Sequence, residues 1–150
     1  MIQRANVTVK GITPLLMHAF PLSDLPEGWE KWSPIEQAKS VEYRTSGGTL
    51  FVPGIALQRS FIGAAIFSKG KGRSSLQKQV AACCTVFPDY LPLLPQEYTV
   101  DSRPIVNPTT KGRVMRHRPR FDQWQLSFEI EFDCALVSEI EMKKVVDDSG

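Results

Sequence analysis

The chain has no apolar run approaching the roughly 18 residues that a membrane-spanning helix needs, so no membrane association is expected. It has two histidines, His18 and His117, and no Cys-x-x-Cys pair, a supply too thin for a zinc site. Its three cysteines are odd in number. Cys83 and Cys84 are adjacent, which is poor geometry for a mutual disulfide, and Cys134 is distant. Reduced, mostly buried thiols are expected. Neither Cys83 nor Cys84 has a histidine nearby in sequence, so a thiolate nucleophile has little support. Clustered Asp, Glu and His are scarce, and no catalytic constellation is visible. The sequence therefore predicts no enzyme, no metal and no cofactor; a nuclease, which would show metal-dependent turnover, is the least supported reading. The N-terminus MIQRANVTV lacks the apolar core of a signal peptide, and cytoplasmic residence is the default.

What is present is the composition of a folded domain. The chain has 150 residues, 42% hydrophobic and 23% charged, enough to bury a core as one domain over 1–150. The net charge of +2 hides a segregation. Residues 1–50 carry five acids and five bases. Residues 51–120 carry eleven Lys and Arg against three acids, net +8, and residues 121–150 two Lys against eight acids, net −6. A basic middle of this size suits a polyanion. The alternative is that the acidic tail folds back and neutralises it.

Residues 4–12 read as a first strand, ended by Thr13-Pro14 because proline cannot donate to a ladder. An irregular insertion over about 14–48 follows. It contains the apolar run LLMHAF, and Leu22, Leu25, Trp29 and Trp32 are expected to pin it. Within it, 34–42 has a proline at the first helical position and good helix formers after it. His18 is expected to be a satisfied buried histidine.

Gly47-Gly48 is a turn. Pro53-Gly54 opens a helix, IALQRSFIGAAIFSK, with Ile55, Phe61, Ile62, Ala65 and Ile66 as its core face; Gly63 beside Ala64 and Ala65 should admit a neighbouring backbone. GKGRSS (70–75) is a basic turn, from which Ser74 or Ser75 caps a second helix. Pro88, Pro92 and Pro95 forbid a long helix after it. Residues 97–106 read as a strand and 107–112 as a hairpin tip. Ser138, with Glu141 three residues on, starts a last helix with a capping-box pattern.

The dominant stretch is 114–132, VMRHRPRFDQWQLSFEIEF. Its first half is a cationic arm. Its second half alternates strictly, with Trp124, Leu126, Phe128, Ile130 and Phe132 on one face and Gln125, Ser127, Glu129 and Glu131 on the other. Period two over nine residues predicts a half-buried antiparallel strand. A basic hairpin, about 103–120, is thus mounted on a rigid strand. The element order is strand, helices, strand, strand, helix. That is the α+β ferredoxin-like order β-α-β-β-α-β, with helices on one face and the final strand missing. The expected gap would be filled by further chain, a partner or the N-terminal region.

VTVKGITPLLMHAF, VPGIALQRSFIGAAIF, RHRPRFDQWQLSFEIEFD and VVDDSG resemble a family of small uncharacterised proteins of phages and integrated elements, distantly similar to RAMP proteins, the Cas7-type backbone subunits of CRISPR complexes. The first resemblance covers most of the chain, and the second is one of pattern. It implies a ferredoxin-like or RRM-like core, single-stranded DNA or RNA bound on a basic surface, homo-oligomeric assembly along the strand and residence in a bacterial host cell. The glycine-rich loop those proteins carry near the C-terminus is absent here.

The residues themselves offer two basic clusters. Arg113, Arg116, His117, Arg118 and Arg120, with Lys111 and Arg103, can clamp phosphates through arginine forks; the alternative is a solvated hairpin paired with Glu129 and Glu131. Lys69, Lys71 and Arg73 form the second, without the G-x-x-x-x-G-K-[ST] spacing of a P-loop; the alternative is an ordinary surface turn. Phe121 and Tyr98 are the candidate stacking rings, Tyr43 and Arg44 a weaker pair, and Trp124 and Phe128 belong to the core. The preferred expectation is a largely sequence-independent single-stranded nucleic-acid-binding module. The alternative is a phage-encoded interaction factor whose basic face meets an acidic patch on a host or defence complex.

Overall fold

Strict alternation in the sequence becomes alternation in space. In the computed structural model, which describes residues 1–20 and 24–150, the final long strand has Leu126, Phe128, Ile130 and Phe132 all buried, while Ser127 is exposed and Glu129 and Glu131 are half-exposed. The chain runs β1 (Ile2–Lys10), β2 (Leu15–Leu16), α1 (Pro34–Ser40), β3 (Phe51–Pro53), α2 (Gly54–Ala64), α3 (Gln77–Cys83), β4 (Thr85–Phe87), β5 (Tyr90–Pro92), β6 (Thr99–Val106), β7 (Arg113–Phe121), β8 (Gln125–Asp133) and α4 (Glu139–Asp148). It is a mixed α+β protein with antiparallel sheets. The strands are grouped as β1-β8-β4, β2-β7-β6 and β3-β5. Leu22, expected to help pin the insertion, lies outside the described residues.

The chain divides into two compact units. The first comprises Met1–Thr8, Val52–Leu91 and Ser127–Gly150. Here β8 is the central strand, flanked by β4 and β1. On its apolar face the Phe61 ring of α2 lies 6.0 Å from that of Phe128. Met142 and Val146 of α4 line a cleft with Ile130 and Phe132 on that same face. Ser138 caps α4 by accepting from the Glu141 backbone N–H, and Glu141 accepts in return from the Ser138 N–H at 2.8 Å. That reciprocal pair holds the Glu141 carboxyl below its ordinary range.

Three local expectations for the first unit are corrected. The α2 core is Gly54, Phe61 and Ala64, and Ile55 and Ile66 are exposed. The α-helix ends at Ala64 and tightens into a 3-10 turn over Ala65–Phe67, which changes the period and swings Ile66 outward. The glycine that meets a backbone is Gly54, whose N–H donates to Asp89 at 2.7 Å. A Cβ there would stand 2.7 Å from the Pro88 carbonyl oxygen, whereas Gly63 faces open space. Ser74 does not cap α3, whose N-cap position is Leu76 without a side-chain bond of its own; Ser75 Oγ accepts from the Gln77 N–H at 3.4 Å.

The second unit comprises Val9–Phe51 and Pro92–Leu126. A long hairpin, β6–β7, dominates it, with β2 added on the far side of β7. The tip is shaped by Asn107, whose side chain accepts from the Thr109 N–H at 2.9 Å and the Thr110 N–H at 3.3 Å. Lys111 follows in the left-handed region, φ 59°. Ser33 and Glu36 form a second capping box on α1, behind Pro34. Trp29 is buried, Leu25 and Trp32 are half-buried, and the Trp29 indole N–H donates to Ser40 Oγ at 3.1 Å. Trp124 is half-buried; its indole N–H donates to the Thr13 carbonyl at 2.9 Å and its ring lies where a Gly11 side chain would be.

Candidate nucleic-acid interface

The register of the hairpin sorts its cations onto two faces. Asp101 lies opposite Arg118, Arg103 opposite Arg116 and Thr99 opposite Arg120. Directly opposed residues share a face and alternate residues repeat on it. One face therefore carries Arg103, Arg116, Arg118 and Arg120 with a single carboxylate, Asp101. The other carries Arg113, Met115, His117 and Pro119, and Lys111 is exposed at the tip. The seven cationic residues predicted for this arm thus form a four-arginine stripe, a weaker pair on the reverse face and one tip residue.

The stripe is held in place from below and along its length. The Arg116 guanidinium carbon sits 4.6 Å from the centroid of the buried Trp29 ring, a cation–π contact that fixes its direction. Asp101 receives a fork from Arg103 at 2.6 and 3.1 Å and a longer contact from Arg120 at 3.4 Å. Those two arginines, Arg103 first, hold the Asp101 carboxyl below its ordinary range. Arg120 is also bound by Asp122 at 2.7 Å. Arg118 differs: its Nε is shielded from solvent and has no hydrogen-bond partner among the described residues. On the reverse face Ser102 Oγ lies 2.7 Å from His117 Nδ1.

His18 joins this cluster, contrary to the expectation of a buried, satisfied ring. The Met17 N–H donates to the Pro119 carbonyl at 3.0 Å, continuing the β2–β7 pairing in which Leu16 faces Arg120. That register brings His18 beside Arg118. The residue is exposed, and its pKa is lowered by partial desolvation and then by the Arg118 and Arg116 charges. We expect the His18 ring resonances in a proton NMR titration to show a midpoint below 6.5. A midpoint above it would contradict the partial desolvation and the neighbouring arginine charges together.

Both predicted stacking rings are occupied elsewhere. Phe121 is 1% exposed and its ring lies 5.7 Å from Tyr98. The Tyr98 hydroxyl donates to Glu42, and burial, then Glu42, raises its pKa. Adjacency to Arg120 in sequence misleads here, because neighbours on a strand point to opposite faces. Arg120 faces outward and Phe121 inward with Pro119. Tyr43 packs on Phe51 at 5.6 Å, and Arg44 is bound by Glu42 at 2.6 Å; both are structural.

The carboxylates expected to neutralise the arm have other partners. Arg4 binds Glu129 at 3.4 Å and Glu131 at 2.8 Å, and the N-terminal ammonium binds Asp133 at 2.7 Å. Asp147 and Asp148 pair with Lys143 and Lys144 one turn back. Among the described residues of 121–150, only Asp122 pairs with a cation of the basic middle.

The second basic cluster, Lys69, Lys71 and Arg73, belongs to the first unit. An isolated bridge between Lys69 and Ser75 closes the turn, Gly70 N–H donates to the Ser74 carbonyl at 2.8 Å, and Gly72 takes φ 73°. The three side chains are exposed, and none makes an ion pair among the described residues.

The cysteines are free thiols; Cys84 is buried and Cys83 and Cys134 are half-buried. Burial, then the neighbouring Cys83, pushes the Cys84 thiol up to about 12, far from thiolate chemistry. Among the described residues no three His, Cys, Asp or Glu side chains are grouped as a metal ion would need, and no helix is long and apolar enough to cross a membrane. No protein-family model matches the chain, and no curated protein matches it in sequence.

Proposed function

We propose that this protein binds single-stranded nucleic acid, DNA or RNA, largely without sequence preference, through the Arg103–Arg116–Arg118–Arg120 stripe. One observation carries the reading: Arg103 and Arg116 stand directly opposite each other across the β6–β7 ladder. Like charges in that relation repel; the Asp101 fork relieves Arg103 and the Trp29 stack holds Arg116, yet the four guanidiniums still outnumber their two carboxylates, Asp101 and Asp122, which favours a polyanion on this face. Arg118, with its shielded and unpartnered Nε, points the same way. Alternate residues on a strand are about 6.8 Å apart, a step comparable with that between successive phosphates of an extended single strand. Guanidinium forks suit phosphate oxygens. No chemical step is assigned to the site.

The RAMP-like relationship and the ferredoxin-like architecture belong to the same proposal. What supports them is the order β1–α2–α3–β4–β8–α4 with β8 between β1 and β4, the strand adjacency of a ferredoxin-like sheet without its fourth strand. Assembly of copies along the strand, in the cytoplasm of a bacterial host, completes it.

Fluorescence anisotropy with labelled single-stranded DNA and RNA, duplex controls and a salt titration tests the proposal. Salt-sensitive binding that prefers single strands, with cooperative isotherms on long oligonucleotides, is the expected result. Absence of binding at low salt by folded protein would overturn it and turn attention to an acidic protein partner.

A further inference from the structure

At the arginine stripe the two rings predicted to stack are not free, since Phe121 and Tyr98 pack on each other, and the exposed ring of that unit is Phe20, 85% exposed and two residues after His18. Another exposed ring lies in the first unit. Phe67 is 76% exposed at the end of the 3-10 turn, and Ile66 before it is 55% exposed. Ser68 follows in extended conformation, φ −99°, ψ 133°. Its side chain is buried, 5% exposed, and accepts from Lys144 Nζ at 3.4 Å. One extended residue turned inward throws both its neighbours outward, so Phe67 and Lys69 project to the same side. The closed turn then presents Lys71 and Arg73 within four to six residues of the ring, all three cations exposed and without ion pairs among the described residues. The Phe67 ring leaves apolar surface in water, and the three cations beside it have no carboxylate partner among the described residues. A strand of stacked bases and phosphates satisfies both.

We propose that Phe67 and the turn Lys69–Arg73 form a second single-stranded nucleic-acid contact, in which a base stacks on the Phe67 ring while Lys69, Lys71 and Arg73 hold neighbouring phosphates. The inference rests on the nucleic-acid reading above and adds to it a stacking residue on a different unit. Every base has a π-face, so such a contact is tolerant of sequence. An anionic membrane surface fits less well, because the apolar element is a three-residue turn rather than an amphipathic helix.

The experiment compares wild type, Phe67→Ala and Phe67→Tyr on two matched oligonucleotides, one of thymidines and one with abasic sites through its centre, plus phosphatidylserine vesicles. Phe67→Ala should weaken thymidine binding roughly ten-fold, within the range of base–aromatic stacking. It should leave abasic binding unchanged, and Phe67→Tyr should restore wild-type affinity. Equal affinities of wild type and Phe67→Ala on the thymidine strand overturn the inference while leaving the arginine stripe standing. Loss of vesicle binding alone on Phe67→Ala also overturns it, in favour of a membrane surface. Failure of wild type to bind any oligonucleotide removes the functional reading itself.

Discussion

Reversing two charges on one face of the hairpin, Arg116→Glu with Arg118→Glu, should abolish most single-strand affinity. A hydrogen bond to a charged group contributes about 1.5–3 kcal/mol, so removing two such bonds should lower affinity by at least about 100-fold. The logarithmic salt dependence should flatten by about 1.4, since each phosphate contact on a single strand contributes about 0.7 to the slope. Arg113→Glu, on the reverse face of the same strand, should change affinity and slope little. That contrast separates a specific stripe from a diffuse basic surface. Equal losses for both variants would show that net charge, and not the face defined by the register, carries the binding. Arg116 also covers the buried Trp29, a contact of about 0.5–2 kcal/mol, so circular dichroism and thermal melting must show the double variant folded. Arg103→Glu is the second variant, because it attacks the same face without touching that stack.

Phe121→Ala should act on stability and not on the bound state. The side chain is 1% exposed and packs on Tyr98, so its truncation leaves a cavity in the second unit. Such Phe→Ala changes cost about 3–5 kcal/mol, readable by chemical denaturation. Under conditions where the variant is fully folded, its affinity for single strands should match wild type. A Phe121→Ala protein as stable as wild type but defective in binding would return this ring to the interface and contradict its burial. Arg120 and Phe121 are adjacent in sequence and opposite in role, so the hairpin variants and Phe121→Ala together test the register itself.

The legibility of the chain varies with the kind of signal. Capping boxes at Ser33–Glu36 and Ser138–Glu141 are local hydrogen-bond patterns, and the second is readable as such. Proline at position 34 marks the start of α1 for the same local reason. The alternation of β8 is readable because a sheet with one buried face imposes period two. The α2 core face is legible only in part, because a switch from α to 3-10 geometry after Ala64 changes which residues face inward. His18 is misplaced by its sequence context because LLMHAF looks uniformly apolar, while only the β2–β7 register decides which of its side chains turn to the arginines. Phe67 merges into the apolar helix for a similar reason; its sole sequence signal is its spacing of two from Lys69, which means nothing until Ser68 is known to be extended and buried.

Composition, period and capping act over a few residues, so the α+β class, the central amphipathic strand, the basic arm and the segregation of charge all follow from the order of residues. Which cations stand together does not. Pairing of β6 with β7 sets Arg103 against Arg116 and divides the arm into two faces. Packing of the second unit takes Phe121 and Tyr98 out of reach of any ligand. The engagement of Arg4 with Glu129 and Glu131 leaves the stripe without its expected counter-charges. Register and long-range ion pairing join residues distant in sequence, and no local pattern encodes which partners they will meet.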